Sequence, residues 1–252
     1  RYHELTIVVE EGNSKPLVFI RGMASMESRA ESHYDNASTA TTYVDKMMSS
    51  IEDMDPSLSD GFRVIYNREC PFELRVQESL EGSREVGTLE AIQVKILVRG
   101  DQDSPSSVRM EVTSESDLFF HYNHTLDAEG FKQVQASQKL MVDFDQYPSV
   151  ILRMVESCIK EPKTHLGIFV MHHSEAGRHA RLDIIQNMGY KFVELISIKF
   201  SHSPSEVVQQ SITYRYNSMK SRLALMQCRL EEVNEIVRLK NPSLLLQLQK
   251  KK

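Results

Sequence analysis

Residues 203–240 read SPSEVVQQSITYRYNSMKSRLALMQCRLEEVNEIVRLK, and this stretch decides the architecture of the chain. Within it, apolar residues recur at alternating spacings of four and three, which is the 3.5-residue repeat of a two-stranded coiled coil. Between them lie polar and charged residues. The repeating residues, which we name the seam, occupy d and a positions: Ile212, Tyr216, Met219, Leu223, Met226, Leu230, Val233 and Val237. We therefore predict a coiled-coil helix over residues 203–240 that pairs two copies of the chain.

Both ends of this helix carry boundary signals. Ser203 is predicted as the N-cap, followed by Pro204 in the first turn and by Glu206 three residues on, the pattern of a capping box. Pro242 ends the helix, and residues 241–252 are predicted to be a frayed basic tail. The alternative is a lone amphipathic helix packed on its own head, but such a helix usually has a wider apolar face.

The residues before this helix, 61–202, show the period-two pattern of half-buried strands. Apolar and polar residues alternate in three early segments, which predicts antiparallel strands with one face buried. The apolar members are Phe72, Leu74 and Val76, then Ile92, Val94, Ile96 and Val98, then Val108, Met110 and Val112.

The middle of this region changes to a helical period. Asp127 is a predicted N-cap, and Pro148 a predicted first-turn residue, of two helices separated by a short strand over Leu140–Phe144. Three further strands are predicted over residues 166–171, 180–186 and 192–200. The predicted fold class is α+β, an antiparallel β-sandwich or barrel head over residues 61–202 with a helical insert, followed by the coiled-coil helix.

The N-terminal quarter differs in composition from the rest. Residues 1–23 are predicted to be an extension containing a hairpin, because Gly12, Asn13 and Pro16 punctuate two apolar runs. In residues 24–60, eleven of 37 residues are Ser or Thr, and eight acids minus two bases leave six net negative charges. Such a segment buries too little apolar surface to offset its ordering entropy, so it is predicted to be a largely disordered linker, with a short helix near residues 43–54 as the one exception.

Composition and charge exclude several classes of protein. The chain of 252 residues has a net charge of -5, which argues against a nucleic-acid-binding protein. Its apolar runs are too short for a membrane span, and no secretory signal opens it, so we expect a soluble fragment. Cys70, Cys158 and Cys228 are widely spaced and lie in apolar patterns, which predicts buried, inert thiols in a reducing cytoplasm.

Sequence motifs for chemistry are absent. The chain contains no phosphate-binding glycine loop and no nucleophile elbow. His121 and His124 have a ligand-like spacing, but structural histidines are the better interpretation. We predict no catalytic residues, no cofactor and no metal, and thus a structural protein.

Several motifs of the chain, together with their order, resemble the head of the centriolar cartwheel protein family, spindle assembly abnormal protein 6. The resemblance begins near Val64 and covers about two thirds of the chain. The segments that carry it are 65–74 (IYNRECPFEL), 117–123 (DLFFHYN), 126–131 (LDAEGF), 140–144 (LMVDF) and the Tyr147-Pro148 pair.

This resemblance implies a scaffold with two self-association surfaces, one in the helix and one in the head. Parallel coiled coils pair two chains, and heads of different dimers contact each other through a hairpin whose tip inserts an apolar side chain, which closes a ring. The implied hairpin comprises Gly177, Arg178, His179, Ala180, Arg181 and Leu182. Arg181 occupies the position at which the resemblance implies an aromatic residue, which predicts weak head association through this contact.

The implied partners are a second copy of the chain and other centriolar or basal-body proteins, with no nucleic acid and no membrane. The implied location is the cytoskeleton of the cytoplasm, at the centriole, basal body or flagellar base. Two alternatives remain open. One is a shorter paralogue in flagellar basal or apical cytoskeletal structures that forms no rings, and the other is a head-plus-coil scaffold of end-joining DNA repair.

Overall fold

The computed structural model describes residues 49–77, 87–101, 104–174 and 177–240. Its elements follow in the order of seven strands and three helices: β1 Phe62–Gln77, β2 Thr88–Gly100, β3 Pro105–Ser114, β4 His121–Asp127, α1 Ala128–Gln138, α2 Tyr147–Lys160, β5 His165–Ser174, β6 Gly177–Asn187, β7 Phe192–His202 and α3 Ser205–Lys240. Short 3-10 helices span Pro56–Gly61 and Phe144–Gln146. The predicted hairpin in residues 1–23 and the predicted tail in residues 241–252 lie outside the described residues.

The seven strands form a closed barrel in the order β1-β2-β3-β4-β7-β6-β5. All pairings are antiparallel except that of β1 with β5, which closes the barrel. Gly167 of β5 lies opposite Phe72 of β1, and a side chain there would clash with the Phe72 ring. A β-sandwich or barrel head was predicted, and of these two forms the structure is the closed barrel.

Alternating apolar residues fill the barrel, as the period-two pattern predicts. The predicted inward residues of β2 and β3 are nearly inaccessible to solvent, as are Phe72 and Leu74 in β1. The buried core includes a cluster of neighbouring aromatic rings, Phe120, Tyr122, Phe169 and Phe200. Burial of rings of this size supplies much of the free energy that holds the barrel closed.

The two predicted helices are confirmed at their starts. The Asp127 carboxylate accepts a hydrogen bond from the Gly130 backbone N–H at 2.8 Å, as an N-cap does. Pro148 lies in the first turn of α2, which buries Ile151, Val155 and Cys158. This helix packs against β1 and β5, so the helical insert covers the parallel junction of the barrel.

The predicted strand over Leu140–Phe144 is wrong. Lys139 ends α1 in the left-handed conformation at φ 55°, and the chain then turns into the 3-10 helix Phe144–Gln146. The Gln135 side chain donates to the Val142 carbonyl at 2.8 Å, which holds this loop against α1. The strand missing from the prediction is β4, so four strands precede the helices instead of three.

Residues 49–60, the described part of the acidic linker, are ordered, and their short helix lies within the stretch 43–54 where a helix was expected as an exception. Residues 49–52 are helical, and the 3-10 helix Pro56–Gly61 follows them directly into β1. Asp55 caps this 3-10 helix by accepting from the Ser57 backbone N–H at 2.9 Å. The remainder of the linker, residues 24–48, lies outside the described residues.

Candidate self-association surfaces

The seam of α3 is exposed to solvent along most of its length. Six of its eight residues are between 49% and 66% exposed: Tyr216, Met219, Leu223, Met226, Leu230 and Val233. From Met226 to Lys240, every residue except Val237 is exposed, so this part of the helix has no cover from its own barrel. The helix over residues 205–240 agrees with the predicted one, and its pairing with a second chain remains a prediction.

Ser203, two residues before α3 begins, is anchored to β4 of the barrel. The Asn123 amide donates to the Ser203 hydroxyl at 2.8 Å, which leaves the Ser203 proton for Nδ1 of His121, also at 2.8 Å. The predicted capping box is therefore wrong in one respect, because the Ser203 hydroxyl serves the barrel and the helix begins at Ser205. Burial, with help from Lys95 and Arg215, lowers the pKa of His121 to about 4, so this imidazole is neutral at pH 7.

A second anchor joins the N-terminal segment to both the barrel and α3. Lys95 of β2 donates to the Asp55 carboxylate at 2.5 Å and to the Ser57 hydroxyl at 3.0 Å, and Ser57 donates to Glu111 of β3 at 2.6 Å. The Lys95 ammonium also lies 6.0 Å from the centre of the Tyr214 ring on α3. These contacts place the polar 3-10 segment between the barrel wall and the base of the helix.

A cleft of about 450 Å³ opens beside these contacts, between α3 and the outer wall of β1, β2 and β3. Its helix side contains the seam residues Met219, Leu223 and Met226, and its barrel side contains polar residues such as Gln93 and Glu115. The seam thus faces open space next to a polar wall, and the wall itself offers no apolar cover for it.

The hairpin predicted for head association connects β5 and β6. Within it, Arg178 and His179 are exposed, whereas Ala180 and Leu182 point into the barrel. Gly177 begins β6 at φ 128°. Arg181 is half-exposed and forms an ion pair with Asp183 at 2.9 Å. The outward side chains of the described part of this hairpin are thus polar, and its role in association remains a prediction.

The next hairpin, between β6 and β7, has an apolar tip. Tyr190 is 79% exposed and Phe192 64%, with Met188 close by at 45%. The tip is ordered by a backbone hydrogen bond from Met188 to Lys191 at 2.9 Å, and Gly189 adopts φ 84° at the turn. The predicted association surfaces do not include this tip, although the Met-Gly-Tyr-Lys-Phe run between two strands is a signal for it.

The three cysteines and the pair His121 and His124 were the candidates for chemistry in the sequence. Burial raises the pKa of Cys70 to about 11 and that of Cys158 to about 12, as expected for inert thiols. The prediction of burial is wrong for Cys228, which is exposed on α3. His124 donates a hydrogen bond from Nδ1 to the Lys199 carbonyl at 2.8 Å. Among the described residues, no three His, Cys, Asp or Glu side chains are grouped so as to hold a metal ion.

No helix in the described ranges combines the length and the apolarity that a bilayer crossing requires.

Curated relatives of the chain are spindle assembly abnormal protein 6 homologues. The homologue of Danio rerio is 24% identical over 131 residues, which are 50% of this chain and 21% of the relative. The homologue of Xenopus laevis is 28% identical over 129 residues, 49% of this chain and 19% of the relative. The chain therefore spans about a fifth of the length of these relatives.

Solved structures with the same fold include two SAS-6 fragments. An N-terminal fragment of Leishmania SAS-6 with part of its coiled-coil domain aligns with a TM-score of 0.57 at 13% identity, covering 70% of this chain and 98% of the fragment. The N-terminal coiled-coil dimer of C. elegans SAS-6 aligns with a TM-score of 0.51 at 16% identity, covering 64% and 97%. The family model described as the centriolar protein SAS N-terminal domain matches residues 64–200, more than half of the chain. The chain therefore belongs to the centriolar SAS N-terminal domain family.

Proposed function

We propose that this chain is a non-enzymatic scaffold of the centriole or basal body that assembles with copies of itself. The observation that carries the proposal is the seam, a row of exposed apolar side chains at heptad spacing on a helix that leaves its barrel. Exposed apolar rows of this length indicate an interaction surface, and a 3.5-residue period fits a second helix of the same kind. The first self-association surface is therefore the seam, which pairs two chains in parallel.

The second surface is the tip of the β6–β7 hairpin. Tyr190 and Phe192 present apolar rings to solvent on a short, hydrogen-bonded turn, which is the form of anchor that binds a pocket on another protein. This tip replaces the polar β5–β6 hairpin as our candidate for head-to-head contact. Arg181 is then no argument against association between heads, because the apolar anchor lies nine residues further along the chain.

Together the two surfaces support an oligomer in which α3 pairs two copies into a dimer and the heads connect one dimer to the next. Head contacts of this heterologous kind close into a ring or continue as a helix, depending on their rotation. We place this assembly in the cytoskeleton, at the centriole, basal body or flagellar base, with other proteins of those structures as partners. Family membership favours this location over a scaffold of DNA end joining.

The test of the seam uses the full chain and two pairs of charged substitutions. Leu223→Glu with Leu230→Glu places charges at two a positions, which we expect to raise the dimer Kd at least a hundredfold, about 2.7 kcal/mol. The matched control, Asn217→Glu with Cys228→Glu, adds two charges on the outer face of the same helix. Sedimentation velocity over a concentration series measures both. A monomeric wild-type chain at 200 μM, or equal Kd values for both double variants, would refute the proposed pairing.

A further inference from the structure

The rows that flank the seam on α3 contain cations and no acids. With Leu223 and Leu230 at a positions, residues from 213 to 236 at e positions are Thr213, Lys220, Gln227 and Asn234, and those at g positions are Arg215, Arg222, Arg229 and Ile236. In parallel coiled coils a g residue meets the e residue of the partner five positions later. Arg215 therefore meets Lys220 of the second copy, a pair of like charges that opposes dimerisation.

The acids that these cations lack lie on the barrel and on the N-terminal segment. Arg215 donates to the Ser114 carbonyl at the end of β3 at 2.8 Å, and Arg222 lies 3.4 Å from the Glu52 carboxylate. The g edge of α3 thus faces its own barrel wall. Glu115, the residue after Ser114, lines the cleft together with Arg215 and the seam.

Glu115 and Lys220 each have an unused charge. Both side chains are exposed, and neither forms an ion pair within the part of the chain that the structure describes. Lys220 is at an e position, so it lies on the opposite edge of the seam from Arg215 and is absent from the cleft of its own chain. Its partner is therefore to be sought on a second molecule.

Dimer geometry brings these two charges together. A helix that covers the seam lies beside the open cleft, because Met219, Leu223 and Met226 border both. Its e edge then runs along the g edge of the first chain, next to the barrel wall at Ser114 and Glu115. We propose that the cleft receives α3 of a second copy and that Glu115 forms an ion pair there with Lys220 of that copy.

This inference rests on the proposed function, since it requires the parallel dimer. It adds that the barrel of each chain contacts α3 of the partner and supplies an acid, Glu115, that the e and g positions of α3 from 213 to 236 lack. Two-fold symmetry makes two such contacts per dimer. Only a parallel, in-register pair places Arg215, Glu115 and Lys220 at one level, so the contact also selects this register.

The experiment is a double-mutant cycle on the full chain, read as dimer Kd by sedimentation equilibrium. Glu115→Lys should raise the Kd about tenfold, from about threefold at each of two exposed contacts. In the Glu115→Lys background, Lys220→Glu should restore tight binding. In the wild-type background, Lys220→Glu should not tighten the dimer, because the loss of the ion pair with Glu115 offsets the new pairing with Arg215. Glu129→Lys, an exposed acid on α1, is the control for the change in net charge.

The cycle separates this inference from the proposed pairing. A wild-type chain that stays monomeric at 200 μM overturns both. A dimer in which Lys220→Glu changes the Kd by the same factor in both backgrounds overturns the Glu115 contact alone. A dimer whose Kd rises equally for Glu115→Lys and Glu129→Lys overturns it as well, whereas a difference of fivefold or more between the two backgrounds supports it.

Discussion

Replacing Asp55 by Asn tests how the N-terminal segment is held between the barrel and α3. The Asp55 side chain is 8% exposed and that of Lys95 15%, so their 2.5 Å ion pair is largely shielded from water. Removing one charge deprives the Lys95 ammonium of its ion-pair partner and leaves it with the Ser57 hydroxyl, the Tyr214 ring and, opposite it on β3, Glu111. Breaking a buried pair costs about 3–5 kcal/mol, and the remaining contacts of Lys95 reduce this to about 2–3 kcal/mol.

The assay is thermal unfolding of the full chain, with Asp53→Asn as the matched control, because Asp53 is an exposed acid in the same segment. For a domain of this size, 2–3 kcal/mol lowers the Tm by about 5–10 °C. The loss should shrink in Asp55→Asn when Lys95→Met removes the orphaned charge as well. Equal Tm values for Asp55→Asn and Asp53→Asn would refute the reasoning, since the segment would then contribute nothing to the packing of the barrel.

Two further predictions concern the barrel and its hairpin. Between about pH 6.5 and pH 4 the unfolded chain binds a proton that buried His121 does not, so acidification over this range should remove about 3 kcal/mol of stability, and below pH 4 His121 should contribute no further change. Denaturant melts at pH 7 and pH 4.5 check this, and His121→Gln should show a flatter dependence. Tyr190→Ser should weaken head association about thirtyfold, roughly 2 kcal/mol, when measured by sedimentation in the Leu223→Glu/Leu230→Glu background. Arg178→Ser on the β5–β6 hairpin is its control. If this control weakens head association more than Tyr190→Ser does, the contact lies at the β5–β6 hairpin instead.

Local patterns predicted much of the barrel and the helices. Asp127 and Pro148 mark helix starts by their own chemistry, which needs no distant partner. Period-two alternation found the strands that bury one face. It failed at β4, where the neighbours His121 and Tyr122 are both buried. His121 is hydrogen-bonded to Ser203, and Tyr122 packs in the aromatic cluster. At Leu140–Phe144 the alternation is real, but a left-handed Lys139 and the α1 contacts override it.

Long-range partners account for the features that the sequence patterns did not predict. The acidic composition of residues 49–60 is a signal for disorder, yet Asp55 and Ser57 find Lys95 and Glu111 at sequence separations of 40 and 54 residues. Sequence alone cannot supply those pairings. The exposed tip at Tyr190 was missed for a related reason, because an aromatic residue next to a strand is normally read as core, and its exposure depends on where the β6–β7 turn falls.

The central claim, that the seam pairs two chains in parallel, can be measured most directly with a spin label on the native Cys228. This thiol is exposed, whereas Cys70 and Cys158 are buried and protonated, so it alone should react with a nitroxide reagent. Parallel helices about 10 Å apart place the two Cys228 Cα atoms roughly 15 Å apart, and the label arms extend this to about 15–35 Å. We expect a dipolar signal in this range that disappears in the Leu223→Glu/Leu230→Glu variant. Absence of the signal at high concentration, or its persistence in that variant, would contradict the claim.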